Sequence, residues 1–511
     1  MMKLPLRPLT SSAALVAALA ALALSGCAGF MPPAQVAVEV APQWQAPLPH
    51  QGTVTSLTDW WKQQGDPVLV DLIAAAQRAS PSVSQAATRI VEARVEQTSV
   101  TSAFMPQLGA QYGASRGVAV PGAAVTTSQQ IGLQASWEID LIGKSRALGS
   151  ASQAYLESSR AQWHDARVSV AAEVATLYYG LANCQQLLAL TQRDSQSRSE
   201  TARLTDLSAR AGFVAPAMSA MARASAADGN SRATQQAARC NLQVKGLVAL
   251  TALAEPDLRQ KVALAPVKRA QAASISIASV PAQTITQRPD VFTAERGVVI
   301  ASVEVGVAKA ARLPRLTLNG AIAGARVNTG GADTDGTTWS FGPLALTIPL
   351  FDSGLRIAKV EASKAAYDTA VINYQATVRQ AVREVEEALV TLRSTQDRSG
   401  DAEVATQGYA ESLAATQARF GQGLASLVEL EDARRNALAT ESALLALQLE
   451  RQQAWIALYR AVGGGFEPSK AQADDTAVRT ATPPAIATVT PTSAAPSTPT
   501  TNVAPPLAQN R

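Results

Sequence analysis

Three cysteines, Cys27, Cys184 and Cys240, carry most of the chemistry that this 511-residue chain offers. Cys184 stands 28 residues before Gly212, and Cys240 stands 28 residues after it. If two antiparallel helices turn at Gly212, both thiols lie at the same height. Cys184 shares a helical stripe with Leu181 and Leu188; Cys240 shares one with Ala233, Ala237, Val244 and Leu247. Helix axes pack about 8–10 Å apart, with Cα atoms about 2.3 Å from each axis, so facing Cα atoms approach to roughly 4–5 Å. That separation suits a disulfide. Closing a loop of about 55 residues stabilises a fold by roughly 4 kcal/mol on the chain-entropy account. The competing expectation is two buried free thiols acting as small apolar groups.

Residue patterns for catalysis are missing. His50 and His164 are the only histidines, so neither a His-Glu-x-x-His metal pair nor a Ser-His-Asp arrangement can be built. Gly463-Gly464-Gly465 lacks the lysine of a phosphate loop and reads as a helix C-cap. No enzyme, no cofactor and no metal site is expected. A net charge of +4 is too slight to favour nucleic acid as a partner.

Cys27 has a different setting. Lys3 and Arg7 precede the apolar run Ala13 to Leu24, whose 12 residues fall short of the roughly 20 that span a bilayer as a helix. The run ends in Leu24-Ser25-Gly26-Cys27, which looks like a bacterial lipobox. Residues 1–26 are then a lipoprotein signal peptide and Cys27 is the lipidation site. Acyl chains contribute about 0.8 kcal/mol per buried CH₂, enough for several on one residue to hold a protein on a membrane. Ala28, where an aspartate marks inner-membrane retention, resembles lipoproteins sorted to the outer membrane. The alternative is an ordinary signal peptide ending beside a chance cysteine.

These residues need elements to position them, and the chain holds one set of elements twice. Ser80-Pro81-Ser82 matches Arg288-Pro289-Asp290 at an offset of 208, as Met105-Pro106-Gln107-Leu108 matches Leu313-Pro314-Arg315-Leu316. Gly143 matches Gly354, and Ala211-Gly212-Phe213 matches Gln422-Gly423-Leu424, both at 211. Two repeats follow, 71–253 and 286–462, with helical tips near 212 and 423 and a connection over 254–285. Val371, Tyr374, Val378, Ala381, Val385, Ala388, Leu392 and Thr395 keep a 4-3 spacing, as do Val170, Val174, Leu177, Leu181, Cys184 and Leu188. That period marks a coiled-coil seam. No proline interrupts the stretch from Lys144 to Ala211, which predicts a helix about 100 Å long.

Between the helices the period changes to 2. Ile131, Leu133, Ala135, Trp137 and Ile139 alternate with polar or small residues. A partner strand is expected over Gln107 to Val120, joined through Pro121-Gly122, within a hairpin spanning 105–140. A second hairpin over 313–352 is expected to pair Arg315–Asn328 with Thr338–Leu350 through a loop at Thr329–Asp333, with a bulge or edge at Gly342-Pro343. Strands of this length suit tilted transmembrane strands, and no later stretch offers 18 consecutive apolar residues for a helix. Four strands cannot close around water, so the subunit must oligomerise. The expected fold class is mainly α with a transmembrane β-barrel: long coiled-coil helices plus four strands per protomer, in an oligomer; a helical barrel and a trimeric state are what the family resemblance given next implies. The Pro/Thr/Ala-rich end of 463–511, with Thr482-Pro483-Pro484 and Pro496-Ser497-Thr498-Pro499, predicts a disordered tail.

The two-fold repeat, the hairpin in each half and the lipobox together resemble the TolC-like outer-membrane efflux proteins, in their lipoprotein branch. The most specific pieces are Arg288-Pro289-Asp290-Val291 with Ala294-Glu295, then Gly306-Val307-Ala308-Lys309-Ala310-Ala311-Arg312-Leu313-Pro314. Ile348-Pro349-Leu350-Phe351-Asp352-Ser353-Gly354, Arg419-Phe420-Gly421-Gln422-Gly423 and Asp59-Trp60-Trp61 add to them. The resemblance implies a homotrimer whose strands form one barrel in outer-membrane lipid and whose helices form a duct across the periplasm. It also implies an equatorial belt built in part from residues 27–70. A periplasmic adaptor (membrane fusion) protein and an inner-membrane pump are the implied partners, and the duct exports small toxic compounds or drugs passively. Gly212, Phe213, Gly423, Leu424 and Ser426 would form the adaptor-docking tip, though a plain helix terminator explains the glycines equally. Asp401, Glu403 and Glu411 would line an acidic constriction, or be a solvated helix face. The alternatives in function are a coiled-coil scaffold lipoprotein without a pore and the duct of a type I secretion system.

Overall fold

The computed structural model describes residues 31–38, 44–46, 60–63, 65–118, 120–264, 285 and 288–467, all within one unit that ends at Pro468. Cys27, His50 and the Pro/Thr/Ala-rich tail lie outside the described residues. The described elements run α1 (Trp60–Gln63), α2 (Pro67–Ala79), α3 (Pro81–Ala103), β1 (Gln107–Gly117), β2 (Thr126–Ile139), α4 (Lys144–Arg210), α5 (Pro216–Thr251) and α6 (Glu255–Leu264). Then follow α7 (Pro289–Ala310), β3 (Arg315–Thr329), β4 (Ala332–Thr347), α8 (Leu355–Gly421) and α9 (Leu427–Ala461).

α4 and α8 have 67 residues each, about 100 Å of uninterrupted helix. Such length holds only if one stripe stays covered along it. The 4-3 stripe does so through the middle of each helix: Val378, Ala381, Val385, Ala388, Leu392 and Thr395 are all buried, as are Val170, Val174, Leu181 and Cys184. α4 packs along α5, α7, α3 and α9, while α8 packs along α9 and α7. Cys184 of α4 and Cys240 of α5 are joined as a disulfide with Cα atoms 5.5 Å apart.

The strands form one antiparallel sheet in the order β1-β2-β3-β4. β4 starts at Ala332, six residues before the expected Thr338. The reason is the turn: Gly330 and Gly331 both take positive φ, 60° and 95°, the requirement of a two-residue hairpin turn. Thr329 therefore pairs directly with Ala332, and Asn328 with Asp333. β1 ends at Gly117 rather than at Val120. The Gly342-Pro343 step sits on edge strand β4, opposite a register shift between Leu318 and Gly320, as an edge bulge requires.

The core lies at mid-height. Trp60 and Trp61 each sit 4.9 Å from the Tyr459 ring, and the Tyr178 hydroxyl donates to Asp66 Oδ2 at 2.7 Å. Arg288 is buried and donates to Asp290, to Glu384 Oε2 (2.8 Å) and to the Ala461 carbonyl (2.6 Å), tying the start of α7 to α8 and the end of α9. Burial works against its charge, yet the bonds to Asp290 and Glu384 outweigh that and hold its pKa above the ordinary value. Two short stretches, residues 31–38 and 44–46, lie against the helices. Pro32 and Pro33 carbonyls accept from Ser302 and Tyr367, and farther along the amides of Gln45 and Ala46 donate to the two Glu386 carboxylate oxygens.

Burial pushes the Asp165 carboxyl above the usual carboxylate range, and the negative charge of Asp290 adds to it against the pull of Arg460 and Arg288. A carboxyl raised in the folded state costs stability as pH climbs through its folded pKa. Asp165→Asn is therefore expected to melt higher than the unaltered protein at pH 8 and to lose that advantage at pH 4. Thermal melts of detergent-solubilised protein at the two pH values check the sign.

Candidate functional site: the sheet faces, the tips and the clamps between helices

Side chains alternate across a strand, so the register sorts the sheet into two faces. One face carries Leu108, Tyr112, Ile131, Leu133, Trp137, Ile322, Trp339, Phe341 and Leu344. All nine are exposed in the single chain, Trp339 at 78% and Phe341 at 82%. An apolar patch of this extent is unusual in water and marks a surface made for lipid or protein. From Ile131 to Ile139 it covers about 20 Å along tilted strands, close to the apolar band of an outer-membrane barrel. The opposite face is small and polar: Gln107, Gln111, Gln130, Gln134, Ser136, Asn319 and Thr338. At the hairpin-turn end the apolar face gives way to Arg116, Arg326, Asp333 and Asp335, with Arg326 and Asp333 paired at 2.8 Å.

At the other end each hairpin passes into a long helix by the same device. Asp140 accepts from the Lys144 and Ser145 amides at 2.9 and 3.0 Å, and Asp352 accepts from the Gly354 and Arg356 amides at 3.2 and 3.1 Å. Both carboxylates satisfy amides that a helix start leaves unpaired. Gly143 and Gly354 then turn the chain with φ of 75° and 85°, where a Cβ is strained.

The far ends of α4 and α8 close with the same bond pattern. The Phe213 amide donates to the Ser208 carbonyl and the Gly212 amide to that of Ala209; Leu424 and Gly423 repeat this onto Arg419 and Phe420. These are Schellman caps, and both need the positive φ of Gly212 and Gly423. Phe213 (84% exposed) and Leu424 (64%) project from them into solvent. Ser426 starts α9 in a capping box with Glu429. Gly463 and Gly464 cap the end of α9 likewise.

Asp401, Glu403 and Glu411 are all exposed on α8, and Glu411 accepts from Gln407 at 3.0 Å. They do not share one side. At 100° per residue Asp401 and Glu403 point about 160° apart, on nearly opposite sides of the helix. Glu411 lies about 80° from each of the other two, so one ring can join it to Glu403 or to Asp401 but not to both.

Sequence reasoning missed a buried ionic cluster above the tips. Arg198 of α4 pairs with Asp194 (2.9 Å) and with Glu431 of α9; Arg434 pairs with the same Glu431 (2.9 Å) and donates to Ser197 and Thr201. Ser225 of α5 bonds Glu431 at 2.8 Å. Arg198, Glu431 and Arg434 are 5–7% exposed. The spacing Glu431-x-x-Arg434 reads as an ordinary surface pair, and nothing in the sequence reports its burial. Glu431→Gln leaves the buried Arg434 guanidinium without its carboxylate and Arg198 with Asp194 alone, so a loss of about 3 kcal/mol is expected, readable in the midpoint of chemical denaturation.

Among the described residues no group of His, Cys, Asp and Glu could hold a metal ion, and no helix is long and apolar enough to cross a membrane. The sequence pattern of the outer membrane efflux protein family matches residues 72–254 and 280–464. Outer membrane protein OprJ of Pseudomonas aeruginosa is 29% identical over 472 residues, covering 89% of this chain and 96% of its own. The cation efflux system protein CusC of Escherichia coli is 27% identical over 473 residues, covering 88% and 97%. The outer membrane channel CmeC of Campylobacter jejuni has the same fold, with a TM-score of 0.78 at 23% identity over 88% of this chain and 98% of that one. With matches to both halves of the chain and nearly whole-length relatives, this protein belongs to the outer membrane efflux protein family.

Proposed function

We propose that three copies of the chain assemble into one duct that carries small toxic compounds or drugs from the periplasm out of the cell. The observation that carries this reading is the sheet. One chain supplies four strands with an exposed apolar face and two unpaired edges, β1 and β4. Unpaired backbone in hydrocarbon costs several kcal/mol per group, so the edges demand partners. Joining β4 of one copy to β1 of the next gives twelve strands and a closed wall. The long helices, two from each of two internal repeats, continue that wall below the membrane. Transport is passive and no residue is catalytic; energy comes from an inner-membrane pump, reached through a periplasmic adaptor. Gly212, Phe213, Gly423, Leu424 and Ser426 are the docking tip, with Phe213 and Leu424 as apolar contacts. Asp401, Glu403 and Glu411 are the candidates for an acidic ring, with Glu411 joined by one of the other two. Acylated Cys27 holds each copy to the outer membrane.

Detergent-extracted protein is expected to run as a trimer, to carry label from radioactive palmitate that Cys27→Ser abolishes, and to conduct ions across a planar bilayer. A monodisperse monomer without conductance would favour the coiled-coil scaffold instead. Gly423→Trp is expected to leave the trimer intact and to lower drug tolerance several-fold in a strain that depends on the protein. Wild-type tolerance there would exclude docking through this tip.

A further inference from the structure

On the polar face of the sheet only two side chains ionise, Glu138 near the end of β2 and Arg315 at the start of β3. Both stand at the end where strands meet helices. The rest of that face is Gln, Asn, Ser, Thr, Gly, Ala and Val327, while the charges of the turn end, Arg116, Arg326, Asp333 and Asp335, share the opposite, apolar face. In a barrel with the apolar face outward, the lumen wall is thus uncharged from just above its foot to its mouth.

The foot is different. A cavity of about 330 Å³ opens there between the starts of α4 and α8 and the link from α7 to β3. It is lined by four cations, Lys144, Arg315, Arg356 and Lys359, and three carboxylates, Glu138, Asp140 and Asp352, an excess of one positive charge per chain. The carboxylates are already engaged. Glu138 lies 3.7 Å from Lys144, Asp352 lies 2.8 Å from Arg356, and Asp140 caps the amides that open α4. Arg315 and Lys359 are exposed and have no ion pair among the described residues. The two helix starts add partial positive charge at the same place.

We propose that Arg315, with Lys359 beside it, forms a basic collar at the foot of the barrel that favours anionic solutes, those bearing carboxylate, phosphate or sulfate groups. The proposal rests on the trimeric barrel of the preceding section, which repeats the collar three times around one lumen. Rings of Arg and Lys select anions in other pores. Twelve strands about 4.8 Å apart, tilted by about 40°, enclose a barrel about 24 Å across at the backbone. Once side chains fill its rim, wall charges lie within about 8–10 Å of its axis, about one Debye length at physiological salt. Every solute that passes therefore feels the collar, and the one other charge on the lumen side of the strands, Glu138, is paired with Lys144.

The test is the reversal potential of bilayer-reconstituted full-length trimers in a KCl gradient. Replacing both cations, Arg315→Gln with Lys359→Gln, is expected to lower the chloride-to-potassium permeability ratio about twofold. Arg315→Lys keeps the charge and is expected to keep the ratio, and Arg326→Gln, which removes a cation from the outer face of the same strand, leaves it unchanged. An unaltered ratio in the double variant, or an equal fall in Arg326→Gln, overturns the collar while leaving the duct. Trimers that carry no current even when unmutated overturn the duct reading, and the collar with it. If the double variant fails to assemble, Lys359→Gln alone decides, with a partial fall expected and no fall counting against the collar.

Discussion

A backbone amide or carbonyl left unpaired in hydrocarbon costs several kcal/mol, and the rest of the molecule answers to that constraint. A four-stranded sheet pairs the inner backbone groups of β2 and β3 and leaves a row open on β1 and β4. Its apolar face is useless in water and its edges are hazardous there. Both features become assets once copies of the chain close the wall around a polar interior. The Gly330-Gly331 turn, by keeping β3 and β4 paired to their ends, extends that wall by several residues beyond what a loose loop allows.

The second constraint is continuity. A strand that ends at a membrane boundary must become a helix without leaving helix-start amides bare. Asp140 with Gly143, and Asp352 with Gly354, accomplish this at equivalent places. From those points both helices run 67 residues to the same kind of glycine cap. Their packing stripe is weak per turn, dominated by Ala, Val and Leu, and is reinforced at two heights. The Cys184–Cys240 disulfide links α4 to α5 in the upper part, and the Arg198–Glu431–Arg434 cluster links α4, α5 and α9 nearer the tips. The ionic cluster is the more directional of the two, because a buried charge tolerates only the partner that neutralises it.

Function in this architecture is spread over surfaces instead of being gathered in a pocket. The apolar sheet face meets lipid and the polar face meets cargo in the proposed duct. The glycine-capped tips leave Phe213 and Leu424 exposed, where the proposal has a partner dock. Such roles depend on which side of an element a residue occupies, so alternation and helical period count for more than any motif. They also explain why Asp401 and Glu403, near neighbours in sequence, cannot act in one ring.

Much of this was legible in the residues. Period 2 at Ile131–Ile139, the 4-3 stripe at Val378–Thr395 and the equal spacing of Cys184 and Cys240 about Gly212 each fix a local geometry through backbone stereochemistry, which needs no distant partner. The repeat offsets of 208 and 211 lead to the expectation of two equivalent halves. Tertiary structure alone decided what depends on apposition of distant segments. The start of β4 at Ala332 rests on pairing with Thr329, and the burial of Glu431 rests on two helices that begin over 200 residues earlier. The grip of Glu386 on the amides of Gln45 and Ala46 spans about 340 positions. A carboxylate looks the same in sequence whether water or a buried guanidinium faces it; only the packing of the chain determines which.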